Sequence, residues 1–576
     1  MTNINKKYLH SLKLSSTIEI TDEADKKAIK KKHLPLYISI PEKNLIAKIE
    51  QKNGKIFILP FSTFVTIKNV IINENGETFF RLQYKNKKGM EERDFSAIIL
   101  SPEVVKTLLR YGITFNEKGG ACLIDYLIEQ QETAPVINIY SHLGWNQYND
   151  ELAFNYDYLC TKDGYYENVQ YSGDFDIEHA GDYDIWERMV IKEVCGKDNA
   201  PMEFVLALGF ASPVLALLDQ SFDLGAMLVN LSNSTSKGKT TAAMLAASVF
   251  GKPKTGNSTM LSYNITKNAL PETISKFNGI TVAIDEAAIL KSKDFSKLLY
   301  TICSGTSKGR IKSTGNGGTQ LDKVTHFSSI VVSTAEFDLL TDDSEGGLRV
   351  RVFELNDTFT TSAENSNIIK KTVLKNYGEA GIGFVMHFMK HHAMDLEEDY
   401  EEIIHLLKLR FVKKTDITDR LIERFAVILL TAIYCNDCEY FRFEFNINAL
   451  LEYVVEQIKN IAKKLNYEER IREIILEDYS INMNSYPSVK EDLKERLCNS
   501  KIRGLIEKRD GYKLYYIMPS VFEQLMNEKR IPNITTKLKQ LKKLGVLCPE
   551  DEKRLVKRVK IRVGERISMY CFKFTD

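Results

Sequence analysis

Between residues 35 and about 100 the apolar positions fall in short β-branched and aromatic runs, LYISI, KIFILPF and VTIKNVII, which predict strands. Asn53-Gly54 and Asn75-Gly76 separate them as hairpin turns. Helical patterns follow in PEVVKTLLRYG (102–112) and ACLIDYLIEQQ (121–131), then a strand-like VINIYSHLGW (136–145). A polar stretch rich in Asp and Tyr, from about 146 to 185, reads as a connection. Residues 1–185 are therefore expected to form an α+β amino-terminal domain with its linker.

Strand and helix patterns then alternate across 186–364, as a parallel α/β core requires. Residues 365–478 are expected to be helical throughout, with amphipathic stretches such as IIKKTVLKNYG and DRLIERFAVILLTAIY, forming a helical lid or linker. The final segment, 479–576, reads helix, helix, then the strand pair RLVKRVKIRV and RISMYCFKF, the order of a winged helix. The expected fold class is thus multidomain α/β.

Composition narrows this picture only slightly. At 44% hydrophobic and 27% charged residues, the 576-residue chain has the balance of ordinary globular protein. No apolar run is expected to reach the roughly 18–20 residues of a membrane span. The first residues lack a signal-peptide core, so the expected compartment is the cytoplasm. The net charge of +1 excludes a polycation, yet basic residues outnumber acidic ones from Lys537 to Lys573, which suggests a local site for a polyanion. Of nine cysteines only Cys435 and Cys438 form a CxxC, and with no second pair nearby they read as reduced thiols.

The chemistry is concentrated after the apolar strand AMLVNL. Asn233, Ser234, Thr235, Ser236, Lys237, Gly238, Lys239 and Thr240 match GxxxxGK[ST] except at the first position, and Thr241 continues into an alanine-rich helix. Backbone N–H groups of such a loop cradle phosphates, Lys239 would reach the β/γ-phosphates of ATP, and Thr240 would hold Mg²⁺. Asn at position 233 is expected to tolerate the positive φ of the missing glycine. Downstream, the buried-strand pattern Gly279–Ile284 ends in Asp285-Glu286. Asp285 would support the Mg²⁺ shell and Glu286 would polarise the attacking water.

A third strand ends in Ser333-Thr334, where an AAA+ core places a hydroxyl that senses the γ-phosphate. Thr334 is the candidate, with Ser333 as the alternative. Arg349 and Arg351 precede the next strand, and Arg351 is the candidate arginine finger for a neighbouring subunit. Between the second and third strands, GRIKST and TQLDKV are expected to pair as a hairpin carrying Lys308, Arg310 and Lys312 towards single-stranded DNA. Near the carboxy terminus, Leu538, Leu541 and Leu544 are expected on one helical face. Lys537, Lys539, Lys542 and Lys543 would then contact duplex DNA, with Arg562 and Arg566 on the wing.

Taken in order, these motifs resemble the MCM-like AAA+ helicases of staphylococcal mobile elements, the Rep initiators of pathogenicity islands and the Cch proteins of cassette chromosomes. The resemblance covers roughly residues 35–435. It rests on Leu143-Gly144-Trp145, the loop ending Gly238-Lys239-Thr240-Thr241, Ile284-Asp285-Glu286, the segment Ser304 to Arg310, Ser333 to Glu336 and the Arg351 strand. It implies a homohexameric ring, ATP- and Mg²⁺-dependent unwinding, a single strand in the pore, and duplex origin DNA at a carboxy-terminal winged helix. A primase or other element-encoded replication protein would be a further partner. Asn233 and Ala335 depart from the family pattern. Two other readings compete: a P-loop ATPase acting as a nucleotide-controlled switch, and a DNA-binding module with a vestigial ATPase. Adjacent Asp285-Glu286 speaks against the first, and intact Lys239 and Asp285 against the second.

Overall fold

The chain divides into two units, Met1–His142 with Ala153–Asp174, and Leu143–Leu152 with Phe175–Asp576. The structure, a computed structural model, describes residues 12–575 except 31–35, 234–236, 265–268, 286–294, 307–310, 314–318, 322–325, 341–345, 413–414, 466, 490–501, 530, 532–533, 552 and 563–564.

In the first unit, strands Leu36–Ile40, Leu45–Lys52 and Lys55–Ser62 pair antiparallel, with Ile18–Ile20 on the outer edge. The tight turn falls at Asn53-Gly54, both with positive φ (49° and 77°), as the sequence pattern requires. A mixed sheet contains Val65–Asn73, Thr78–Asn86, Gly89–Ser96 and Val136–Tyr140. Helix Gly119–Gln131 buries Leu123 and Leu127 among Val65, Phe80 and Leu82 of this sheet. Two expectations change here. The segment expected as a helix at 102–112 is a 3-10 helix, Val105–Tyr111, ended by Gly112 at φ 87°. The connection expected after residue 146 contains strands Glu151–Asn155, Tyr158–Thr161 and Gly164–Tyr171. Their buried positions mix apolar residues such as Phe154, Leu159 and Val169 with the polar Asn155 and Thr161, so composition alone reads as linker.

The second unit is built on a parallel five-stranded sheet. Its strands are β1 (Met227–Ser232), β2 (Met260–Ser262), β3 (Val282–Asp285), β4 (Ile330–Ala335) and β5 (Val352–Leu355), in spatial order β2-β3-β4-β1-β5. Every residue of β1 and β4 is buried, as expected for strands covered on both faces. The alternating pattern of 186–364 therefore does build a parallel sheet.

Helix α1 (Ala200–Phe222) corrects another expectation. It is long and apolar enough to cross a membrane, but 89% of its apolar window is buried inside the protein, so it serves as a core helix. Its two acids, Glu203 and Asp219, interrupt the apolar run that the sequence scan sought. Trp145 Nε1 donates to the carbonyl of Pro213 inside α1 at 2.8 Å. Gly144 has φ 96°, and a Cβ there would lie 1.3 Å from the carbonyl oxygen of Asn278. The Leu-Gly-Trp motif is thus a packing device: glycine admits a neighbouring backbone, and tryptophan seats against the proline-bearing helix.

Helix α2 (Lys239–Ser248) follows the phosphate-loop motif and packs on the sheet. The helical region contains α3 (Ala363–Val373), α4 (Glu379–His391), α5 (Leu396–Leu409), α6 (Asp416–Asp437), α7 (Ile447–Leu465) and α8 (Tyr467–Ile481), matching the helical pattern of 365–478. Ser362 and Thr415 cap α3 and α6 by accepting from Asn365 N–H and Thr418 N–H.

The carboxy-terminal segment holds more strands than expected. Strands β6 (Gly504–Arg509) and β7 (Tyr512–Ile517) precede helices α9 (Pro519–Glu528) and α10 (Ile534–Lys543), and β8 (Lys557–Arg562) and β9 (Glu565–Thr575) follow. They form one antiparallel sheet, in order β6-β7-β9-β8. Ile471 and Ile475 of α8 share its core with Phe522, Leu538, Leu541 and Phe572.

Candidate functional site

Strand β1 delivers the chain to Asn233, and α2 begins at Lys239, so the loop between them ends at a helix amino terminus. Ser234, Thr235 and Ser236 lie outside the described residues. Gly238 caps α2 at φ 82°, and a Cβ there would lie 2.5 Å from the Thr360 hydroxyl oxygen, so only glycine fits. Among the described residues of the loop the left-handed one is thus Gly238, whereas Asn233 is not among the positive-φ residues. Asn233 acts through its side chain: Nδ2 donates to the carbonyls of Asn356 and Asp357 at 2.9 and 3.0 Å. Lys237 Nζ donates to Thr358 Oγ1 at 3.1 Å, and the Lys237 carbonyl accepts from Phe359 N–H at 2.9 Å. Residues 356–360 after β5 therefore buttress both ends of the loop, at Asn233 and at Lys237-Gly238.

Lys239 Nζ donates to the Asn233 carbonyl, which keeps the ammonium within the loop. Thr240 sits half-buried in the first turn of α2. Thr241, fully buried, shares a hydrogen bond of 2.7 Å with Ser366 and so ties α2 to α3; it is an anchor rather than a phosphate contact.

Asp285 ends β3, and Thr334 Oγ1 on the adjacent β4 donates to Asp285 Oδ1. Ser333 points the other way and hydrogen-bonds the buried Tyr263 hydroxyl at 2.8 Å. Of the two hydroxyls open in the sequence, only Thr334 reaches the acid. Glu286 lies outside the described residues.

Sequence reading missed a cluster beneath the loop. Asn230 and Ser232 are the polar residues of β1, and both face Glu354 of β5. Asn230 Nδ2 donates to Glu354 Oε2 at 2.7 Å, and Leu340 N–H donates to Oε1 at 3.0 Å. Ser232 Oγ lies 2.7 Å from Asp338 Oδ1, 2.6 Å from Asn356 Oδ1 and 3.4 Å from Glu354 Oε2. One hydroxyl proton cannot serve three acceptors, whereas a protonated Glu354 can donate to Ser232. Burial pushes the Glu354 carboxyl up to about 7, against the pull of Asn230. The signal was present as two polar positions, Asn230 and Ser232, alternating in an otherwise apolar strand.

This carboxyl makes a prediction with a definite sign. A folded-state value above the ordinary carboxylate value means the folded protein holds the proton more tightly. Its contribution is complete below about 4.5 and is lost as pH rises through about 7. Glu354→Gln should remove that loss, on the order of 2–3 kcal/mol. Thermal unfolding of both proteins from pH 5 to 8 checks it: the stability difference should grow in favour of the variant with rising pH. A difference independent of pH would show that Glu354 stays ionised.

Arg349 is buried and lines a cleft of about 650 Å³ with Asp338, Glu354 and Asp357. Arg351 lies in the turn before edge strand β5, half-buried, and its Nε has no hydrogen-bond acceptor. It neighbours Arg424, which is held below the usual arginine range by burial and then by Arg351.

Lys308 and Arg310 lie outside the described residues, as does the side chain of Lys312. The backbone of the expected hairpin is present: Ile311–Ser313 pairs antiparallel with Thr319–Leu321, Lys312 opposite Gln320. On α10, Lys539 and Lys543 are exposed, while Lys542 is half-buried and donates to the Arg554 carbonyl at 3.2 Å. Two residues depart from the expected pattern. Lys537 is buried, its Nζ 3.3 Å from the centre of the Tyr467 ring, because it occupies the inward face with Leu538 and Leu541. Leu544 lies beyond the end of α10 and is exposed. Arg566 is exposed at the start of β9, and the side chain of Arg562 lies outside the described residues.

A family model described as a domain of unknown function, DUF927, matches residues 44–321, which include the Gly238-Lys239 loop, Asp285 and the hairpin. No curated protein matches the sequence. Among solved structures, one titled "SCCmec type IV Cch - active helicase" superposes with a TM-score of 0.70 at 20% identity, over 94% of this chain and 98% of that one. The chain has the fold of a Cch helicase. The likeness to Cch extends beyond the 35–435 span carried by the motifs and takes in nearly the whole chain. The resemblance to the cassette-chromosome helicases read from the motifs is therefore matched in three dimensions.

Proposed function

We propose that this protein is an ATP- and Mg²⁺-dependent DNA helicase and the replication initiator of a mobile genetic element, working as a homohexameric ring in the cytoplasm. The observation that carries the reading is the pairing of Asp285 with Thr334 on the strands beside the Gly238-Lys239 loop. The strand order β2-β3-β4-β1-β5, with the loop after β1 and the acid after β3, is the order expected of an AAA+ core. In this reading Lys237, Gly238, Lys239 and Thr240 hold the triphosphate, together with backbone N–H groups of residues 233–236. Thr240 and Asp285 hold Mg²⁺, which neutralises charge on the β- and γ-oxygens. Glu286 orients water, and Thr334 couples the γ-phosphate to Asp285. Residues 1–185, 186–364, 365–478 and 479–576 are the proposed amino-terminal, motor, lid and winged-helix domains.

DNA has two proposed sites. Lys308, Arg310 and Lys312 track a single strand in the pore, and Lys539, Lys543, Arg562 and Arg566 grip duplex from the winged helix. Lys542 is half-committed to Arg554, and the burial of Lys537 removes it from this surface. Because α8 shares the core of the carboxy-terminal sheet, charge reversal tests this better than truncation. Lys539→Glu with Lys543→Glu should weaken duplex binding by about 10-fold or more and lower the salt slope by about 2, one per lost phosphate contact. Basal ATPase should be unchanged. Binding titrations at several salt concentrations decide the point; an unaltered slope would remove this helix from the DNA surface.

The reading as a whole is tested by ATP hydrolysis with and without single-stranded DNA. Stimulation by DNA is the expected result, and a DNA-indifferent ATPase would favour a nucleotide-controlled switch.

A further inference from the structure

Helix α4 ends in the sequence His387-Phe388-Met389-Lys390-His391, with His392 as its C-cap, and α6 ends at Asp437. The two helix ends bring three donor groups together. His387 Nε2 and His392 Nε2 lie 3.7 and 3.1 Å from the same oxygen, Asp437 Oδ2, and all three donor atoms fall within 4.8 Å of one another. Only 9% of the His387 side chain and 15% of the His392 side chain is exposed. Neither Nε2 makes a well-aligned hydrogen bond, and both face the one Asp437 oxygen. Buried polar atoms are normally well paired, so two imidazole nitrogens left to share a single carboxylate oxygen call for an occupant.

We propose that His387, His392 and Asp437 form a binding site for a divalent transition ion of the zinc class, which staples the carboxy-terminal ends of α4 and α6. Two ligand atoms about 2.0–2.2 Å from one tetrahedral zinc ion are about 3.3–3.6 Å apart, and the separations of 3.1 and 3.7 Å bracket that range. Two imidazoles with one carboxylate favour zinc-class ions over Mg²⁺ and Ca²⁺, which take oxygen ligands. Asp437 has 65% of its side chain exposed, which leaves an entry path and room for a water as fourth ligand.

The surroundings prepare the ligands. The His392 ring stacks on Tyr434 at 4.1 Å and 19°, and the Tyr434 hydroxyl donates to Asp399 Oδ2 at 2.7 Å, which fixes the orientation of the ring face. The buried Cys435 and Cys438 stand apart from this group of donors. A rival arrangement pairs His387 with the exposed His391, whose rings are 4.5 Å apart along the same helix.

The site is independent of the nucleotide reading, and its test uses metal binding rather than activity. The full-length protein, stripped with EDTA and held in excess Mg²⁺ to occupy oxygen-only sites, is titrated with Zn²⁺ against a chromophoric chelator. One zinc per chain and a raised Tm are expected. Asp437→Asn and His392→Gln should each weaken binding at least about 10–100-fold, the loss typical of a partner one shell further out. Asp437→Asn changes a largely exposed side chain, so its metal-free Tm should match that of the parent. His391→Ala should leave the affinity unchanged. Failure to bind stoichiometric zinc, or full affinity in Asp437→Asn, overturns the site. A loss in His391→Ala as large as in Asp437→Asn overturns it in favour of a surface histidine pair.

Discussion

Lys239→Ala is expected to reduce ATP hydrolysis by at least about 10²–10³-fold, the usual consequence of removing a charge that stabilises a phosphoryl-transfer transition state. Lys239 opens α2, directly after the left-handed Gly238, and its ammonium is directed back into the loop onto the Asn233 carbonyl. An intact fold should survive the change, because the helix is anchored elsewhere, through Thr241 to Ser366. The measurement is steady-state phosphate release beside a thermal unfolding curve. Loss of turnover at unchanged Tm is the expected pair of results. Glu286→Gln is expected to separate the steps differently, binding ATP while failing to hydrolyse it. Normal turnover in Lys239→Ala would remove this loop from the chemistry.

The second large effect concerns Arg351. It stands before the edge strand β5, and its buried Nε has no hydrogen-bond acceptor within its own chain. Arg424 close by adds a second positive charge, so an incoming phosphate would relieve repulsion as well as gain a partner. A finger supplied in trans is worth about 10³–10⁵-fold in turnover. Arg351→Ala subunits should therefore be nearly inactive alone. Mixed with Lys239→Ala subunits they should regain part of the activity, because some interfaces then pair an intact loop with an intact arginine. Verified mixed rings that recover nothing would make Arg351 a structural residue. Arg349 offers a control, since it is buried beside its own chain's cleft.

The loop after β1 and the acid after β3 were legible because their motifs tie chemistry to local geometry. An apolar strand, a glycine that alone fits beside Thr360, and an acid at the end of a second apolar strand each leave a mark within a few residues. Tertiary pairings left weaker marks. Nothing local distinguishes Ser333 from Thr334; the register of β3 beside β4 does so by pairing Ile284 with Ser333 and leaving Thr334 to Asp285. Asn233 was read as a backbone substitute for glycine, whereas its side chain clamps a segment more than a hundred residues later in the sequence. The strands between 151 and 171 were hidden by their polarity, and β6 by the charged second half of Gly504–Arg509. Lys537 was misplaced because a lysine on an amphipathic helix is normally solvated, whereas here the Tyr467 ring takes its ammonium.

The central claim, that ATP hydrolysis at the Lys239 loop drives DNA unwinding, is tested most directly by strand displacement. A forked duplex with one labelled strand is incubated with the protein, Mg²⁺ and ATP, beside the Lys239→Ala protein. The account predicts release of the labelled strand by the parent protein only, and only with hydrolysable ATP. ATP hydrolysis without displacement on forks of either polarity, or equal displacement by Lys239→Ala, would contradict it.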